Sequence, residues 1–118
     1  MRAYFRAANQ MFRTGDVEPL RGFSLESCPC RQITRSVARV IRNGGKYEGS
    51  RYRVVSLRVH DIRNKTAAVE VTALVPPYKV VNGSGDVIED SPGGRLHTDF
   101  SLSIQGERWV VTNAVNLG

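Results

Sequence analysis

The sequence predicts an α+β fold in which N-terminal helices pack against a meandering antiparallel β-sheet. Apolar residues recur every three or four positions before Asn43 and at every second position after Gly49. The first period is typical of amphipathic helices and the second of half-buried strands. A chain of 118 residues can bury one core, so residues 1–118 are expected to form a single domain.

The first helix is predicted over residues 1–13, followed by a short second helix. One face of the first helix carries Met1, Tyr4, Phe5, Ala8, Met11 and Phe12. Gly15 suits the left-handed position that ends a helix. Asp16 is expected to cap the second helix, whose first turn tolerates Pro19.

The third helix is predicted to begin with Ser27 as N-cap and Pro29 in its first turn, and to end at Asn43-Gly44-Gly45. Its apolar face carries Cys30, Ile33, Val37, Val40 and Ile41. Its opposite face carries Arg31, Arg35, Arg39 and Arg42. We interpret this arginine stripe as a solvated helix surface, with an anion-binding surface as the alternative.

The remainder of the chain is predicted to be strands. Tyr52–Val59 forms the first, and the parity of its apolar residues slips between Val54 and Val55, as a β-bulge would cause. Pro76-Pro77 predicts a bend. Further extended segments are expected at residues 67–75, 78–81, 86–90, 96–104 and 108–115.

Positive charge is concentrated in the first half of the chain. Residues 1–59 carry 12 Lys/Arg against 4 Asp/Glu, whereas residues 60–118 carry 5 against 7. Such asymmetry can mark a face for nucleic acid or anionic membranes. The sequence carries no nucleic-acid motif and no aromatic residues among its helical arginines, so neither partner is specifically predicted.

The only two cysteines stand together in Cys28-Pro29-Cys30. A structural disulfide is the favoured interpretation, with unpaired structural thiols second and a redox or metal role third. His60 and His97 are single and distant from the pair, so no metal site is predicted. The sequence indicates no cofactor.

Several short motifs punctuate this order of elements: Thr14-Gly15-Asp16, Cys28/Cys30, Gly44-Gly45, Tyr47-Glu48-Gly49 and the closing Glu107-Arg108-Trp109-Val110-Val111. With these motifs, the chain resembles the nuclear transport factor 2-like (NTF2-like) or cystatin-like superfamily, a cone of helices against a strongly bent antiparallel sheet. More narrowly, it resembles extracytoplasmic lipoprotein domains of actinobacteria.

The resemblance implies an extracytoplasmic domain at the cell envelope, and a cytoplasmic protein is the alternative. No leader or lipidated cysteine is visible in this sequence, so membrane association would require an anchor outside it. The superfamily includes isomerases, epoxide hydrolases, polyketide cyclases and non-catalytic binding domains. The resemblance also implies that a homodimer can form through the sheet face.

Residues that could carry acid–base chemistry are predicted to lie outside the cone. His60 and Asp61 are neighbours at the end of a predicted strand, so their side chains should point to opposite faces, which argues against a direct catalytic dyad. The polar set His97, Asp99, Ser101 and Ser103 alternates with Leu96, Phe100, Leu102 and Ile104, which should face the helices.

The inward positions carry no ionisable group, which disfavours a catalytic pocket. The candidate pocket-lining residues are Tyr4, Tyr52, Trp109 and Asn113. The sequence therefore predicts a non-catalytic module that binds a ligand or protein. The alternative is a small enzyme of the isomerase or cyclase kind, or a protein that binds an apolar small molecule.

Overall fold

A computed structural model of the chain describes residues 1–49 and 51–118. Its helices are α1 (Arg2–Thr14), α2 (Glu18–Arg21) and α3 (Gln32–Arg42), and a 3₁₀ turn (Pro29–Arg31) leads into α3. The strands are β1 (Lys46–Glu48), β2 (Arg53–His60), β3 (Thr66–Val75), β4 (Tyr78–Val81), β5 (Val87–Ser91), β6 (Gly94–Gln105) and β7 (Arg108–Asn116). The order of helices before strands confirms the predicted α+β class.

The strands form two antiparallel sheets that continue into each other. The large sheet has the order β2-β3-β6-β7 and the small sheet the order β1-β4-β5. Pro76 and Pro77 separate β3 from β4, because proline donates no ladder hydrogen bond. The return crossing contains Gly93 at φ 78, where a Cβ would collide with the carbonyl oxygen of Val75. The predicted bend at Pro76-Pro77 is therefore confirmed, and it divides what the sequence predicted as one sheet.

The core lies between α1 and the inner face of the large sheet. Phe5 and Phe100 meet edge to face with their ring centroids 5.9 Å apart. The buried side chains of α1 are Tyr4, Phe5, Ala7, Ala8, Met11 and Phe12. This set confirms the predicted apolar face, and Gly15 ends the helix at φ 81 as predicted.

The prediction that Ser27 caps the third helix is wrong. The chain stays irregular for one more residue, and the 3₁₀ turn begins with Cys28 as N-cap. The Cys28 sulfur accepts a hydrogen bond from the backbone N–H of Cys30, which leaves no capping role for Ser27. The short strand β1 was also missed, because three residues carry no measurable period.

The predicted bulge in β2 is confirmed. The pairing with β3 shifts between Val54 and Ser56, so Val55 has no partner. At the other side of the large sheet, the edge of β7 is covered by the segment after α2. The N–H of Leu25 donates to the Val111 carbonyl over 2.9 Å, and the Val111 N–H donates to the Phe23 carbonyl over 2.7 Å.

Candidate functional site

A cleft of about 600 Å³ opens between the helices, the small sheet and the inner face of the large sheet. We call it the aromatic cleft. Tyr52 enters it just before β2, and Thr98 forms part of its floor on β6. The described residues that line it are Phe12, Ile33, Ser36, Tyr47, Tyr52, Val75, Tyr78, Glu89, Ser91, Gly93, Gly94, Arg95, Leu96, Thr98 and Asn116.

Three tyrosines, Tyr47, Tyr52 and Tyr78, line the aromatic cleft. Tyr47 lies between its neighbours, with its ring centroid 5.1 Å from that of Phe12 and 6.4 Å from that of Tyr78. Burial raises the pKa of Tyr52, with smaller contributions from Tyr78 and Tyr47. Burial also raises the pKa of Tyr47 and of Tyr78, and the Glu89 carboxylate adds to both shifts. The phenols therefore stay neutral at ordinary pH and can donate hydrogen bonds.

Among the described residues that line the aromatic cleft, the charged ones lie at its rim. Glu89 and Arg95 are exposed, and Glu89 accepts a hydrogen bond from the Tyr78 hydroxyl over 3.2 Å. No histidine and no buried carboxylate belongs to the described lining. The cleft can enclose an apolar body and hydrogen-bond its polar end.

The four predicted pocket-lining residues do not share one pocket. Tyr52 lines the aromatic cleft, whereas Tyr4 and Trp109 line a separate cavity of about 140 Å³ near the N-terminus. Asn113 is exposed on β7, opposite Ser101. Ligand binding by these four residues stays a prediction, and the β7 bulge next to Asn113 accounts for the position of that side chain opposite Ser101.

The first residue of the predicted arginine stripe, Arg31, does not lie on the solvated surface of α3. Arg31 is half-buried and donates to the Ser24 hydroxyl over 3.0 Å and to two backbone carbonyls, those of Ser24 (2.8 Å) and Arg21 (3.0 Å). Its guanidinium ties the segment after α2 to the start of α3. Arg35, Arg39 and Arg42 remain exposed along the helix.

Cys28 and Cys30 form a disulfide, with their Cα atoms 5.2 Å apart. Cys28 is fully buried in the core, so the pair anchors the start of the 3₁₀ turn. This is the favoured sequence interpretation of the pair. Among the described residues, no cluster of three or more His, Cys, Asp or Glu side chains could hold a metal ion.

The outer face of the large sheet carries a polar network that sequence reasoning missed. His60 Nε2 lies 2.7 Å from Asp99 Oδ1, and His97 Nε2 lies 2.6 Å from Glu70 Oε2. Arg58 also pairs with Glu70, and its hydrogen bond, followed by that of His97, lowers the pKa of Glu70 to about 2.

The polar network lies on the side of the sheet away from α1, as predicted for His97 and Asp99. Asp61, the sequence neighbour of His60, instead contacts Arg63. The signal that could have revealed the network is strand register, since Arg58 lies opposite Glu70 and Glu70 lies opposite Asp99.

Two solved structures share this architecture. The intermembrane space region of the chloroplast protein ARC6 aligns with a TM-score of 0.71 at 14% identity, covering 99% of this chain and 90% of that one. An uncharacterized protein with a cystatin-like fold from Caulobacter vibrioides aligns with a TM-score of 0.60 at 14% identity, covering 99% and 87%. The chain therefore has a cystatin-like fold. At this identity the likeness says nothing about activity.

No protein-family model and no curated protein matches the chain. The narrower resemblance to actinobacterial lipoprotein domains stays a prediction. None of the described helices has the length and apolar character needed to span a bilayer.

Proposed function

We propose that this chain is a non-catalytic binding domain of the cell envelope that holds a small, largely apolar ligand in the aromatic cleft. The observation that carries this proposal is the cleft itself. Its volume of about 600 Å³ lies in the range of small-molecule sites, roughly 300–1,000 Å³. Apolar and aromatic walls with a few polar groups are what such sites use to enclose and orient a ligand.

The polar groups of the aromatic cleft are better suited to orienting a bound ligand than to catalysing its conversion. The Tyr78 hydroxyl is engaged by Glu89, while Thr98 and Ser36 offer neutral hydroxyls from the floor and from α3. A neutral hydroxyl can fix the orientation of a ligand without changing its protonation state. These features support binding over the isomerase or cyclase alternative.

Location outside the cytoplasm is supported by the Cys28–Cys30 disulfide, because such bonds persist in oxidising compartments. A solved domain of the same fold is the intermembrane space region of the chloroplast protein ARC6, which also supports this location. The resemblance to envelope lipoprotein domains agrees with both observations.

The cleft can be tested with N-phenyl-1-naphthylamine, a neutral aromatic dye that fluoresces in apolar surroundings. Ser36→Phe places a ring in the cleft, since Ser36 lines it from α3. We expect Ser36→Phe to weaken dye binding at least about tenfold. Fluorescence titration of the full chain gives the dissociation constants.

Gln32→Phe is the matched control, because Gln32 is exposed on the same helix and outside the described lining. It should leave dye binding unchanged. Tyr78→Ala, which removes a half-buried part of the wall, is a second variant in case Ser36→Phe lowers the melting temperature strongly. Equal affinity of the wild type, Ser36→Phe and Tyr78→Ala for the dye would contradict binding in this cleft.

Location can be tested separately by mass spectrometry of unreduced protein recovered from its native host. An intact bond between Cys28 and Cys30 is the expected result. Two thiols that alkylate freely would count against a site in an oxidising compartment.

A further inference from the structure

A second cleft, of about 530 Å³, lies on the other side of the Phe12–Tyr47 aromatic pair. We call it the arginine cleft. One wall is the exposed side of α1, and the other carries Tyr47, Gly49 and Arg51. Its lining comprises Arg6, Asn9, Gln10, Phe12, Arg13, Tyr47, Gly49 and Arg51.

Three arginines line the arginine cleft from both walls. Arg6 and Arg13 are seven residues apart on α1, about two helical turns, so they lie on one face of the helix. Arg51 comes from the opposite wall. Positive charge therefore borders the cleft on two sides.

These arginines are unpaired within the described part of the chain. None of the three forms an ion pair or a side-chain hydrogen bond with a described residue, and the described lining contains no carboxylate. Arg58, in contrast, is bound by Glu70, and Arg31 by Ser24 and two backbone carbonyls. The charge in the arginine cleft is consequently free to meet an external anion.

A clamp between the two walls sets their spacing. The Asn9 side chain donates to the Tyr52 carbonyl over 2.9 Å, and its oxygen accepts a hydrogen bond from the Tyr52 backbone N–H. Both contacts are partly buried and fix the backbone next to Arg51 against α1. A site whose walls are already fixed loses less conformational entropy on binding.

We propose that the arginine cleft binds the phosphate group of an organic phosphate. Guanidinium groups recognise phosphate oxygens through paired, charge-assisted hydrogen bonds. A cleft of about 530 Å³ is too large for the phosphate alone, and Phe12 and Tyr47 supply an aromatic surface for the organic part. This site goes beyond the aromatic cleft and does not depend on it.

The test compares two double variants that each remove two positive charges. Arg6→Gln/Arg51→Gln alters the arginine cleft, and Arg35→Gln/Arg39→Gln alters the exposed face of α3. Calorimetric titration with inorganic pyrophosphate measures the affinity of each full-length protein. We expect the first variant to bind at least about tenfold more weakly than the wild type and the second to bind within about twofold of it.

A second arm uses vesicles that contain phosphatidylglycerol, with phosphatidylcholine vesicles as reference. Loss of phosphatidylglycerol binding only in Arg6→Gln/Arg51→Gln would identify a lipid headgroup as the source of the phosphate. Pyrophosphate binding without vesicle binding would identify a soluble phosphate.

The proposal is overturned if neither probe binds the wild type, or if both double variants lose affinity equally. Equal loss would mean that binding follows net charge rather than this cleft. Circular dichroism and melting curves establish that each variant is folded. Dye binding in the aromatic cleft should persist in Arg6→Gln/Arg51→Gln, so the two proposals can fail independently.

Discussion

The two faces of the large sheet use the same strands for different purposes. On the inner face, Val71 and Phe100 are buried against α1 and its neighbours. On the outer face, Glu70 and Asp99, one position away from these residues in sequence, are partly exposed and paired with histidines. The inner face supplies the apolar burial that drives folding, and the outer face arranges charge. Because side chains alternate between the two faces, neighbouring residues of one strand can serve the core and the polar surface separately.

The largest expected effect is a difference in stability between substitutions on the inner and outer faces. Phe100→Ala should lower the free energy of unfolding by about 3–5 kcal/mol, because it leaves a cavity beside the rings of Tyr4 and Phe5. Ser101→Ala, the next residue on the outer face, should change it by less than about 0.5–1 kcal/mol. Urea denaturation measures both values. Similar losses in the two variants would contradict the division between faces.

The second prediction concerns the stability of the protein at alkaline pH, which depends on Tyr4 beside the inner face. Burial, with a smaller contribution from Tyr52, raises the pKa of Tyr4 from 10.0 to about 12. Since the folded pKa is raised, its stabilising contribution is complete below pH 10 and is lost as pH rises toward 12. At pH 11 the wild type should have lost about 1.4 kcal/mol through this group.

Tyr4→Phe removes the titrating hydroxyl, so its stability should fall less between pH 9 and pH 11. Urea denaturation at both pH values gives the comparison, and tyrosinate absorbance follows the ionisation itself. An identical fall in wild type and Tyr4→Phe would exclude this group as the cause.

The smallest effect is expected on the outer face in acid. Hydrogen bonds from Arg58 and then His97 lower the pKa of Glu70 from 4.5 to about 2. Because the folded pKa is lowered, the contribution of Glu70 is present above pH 4.5 and is lost as pH falls toward 2. Glu70→Gln should therefore reduce the acid sensitivity of unfolding in this window, by a small amount because the network is solvated.

Urea midpoints at pH 5 and pH 2.5 measure this difference. Glu107→Gln is the matched control, because Glu107 is exposed and has no ion-pair partner in the described part of the chain. It should retain the acid sensitivity of the wild type. A Glu70→Gln protein with that same sensitivity would show that the outer network does not couple to folding.

The sequence was sufficient for features that depend on local period. The apolar face of α1, the end of that helix at Gly15 and the bulge beside Val55 all follow from spacing. It was also sufficient to place His97 and Asp99 on the outer face, since neighbouring residues in a strand alternate.

The features that were missed depend on contacts between distant residues. The link between His60 and Asp99 spans 39 residues, and the Asn9–Tyr52 clamp spans 43. The arginine cleft likewise lies between two basic segments that are distant in sequence and that this clamp joins. Arg31 likewise matched the helical stripe, but its hydrogen bonds to Ser24 could not be inferred from periodicity.

The bulge in β2 has a consequence for how copies of this chain meet one another. β2 ends the large sheet, and such an edge strand presents unpaired backbone groups to any other extended chain. Val55 interrupts the regular ladder there, while Arg53 and Arg58 place cations on the same strand. A twisted, charged edge is a poor template for adding another strand, which protects the protein from aggregation. This border of the large sheet is therefore a poor site for strand-to-strand association between copies of the chain.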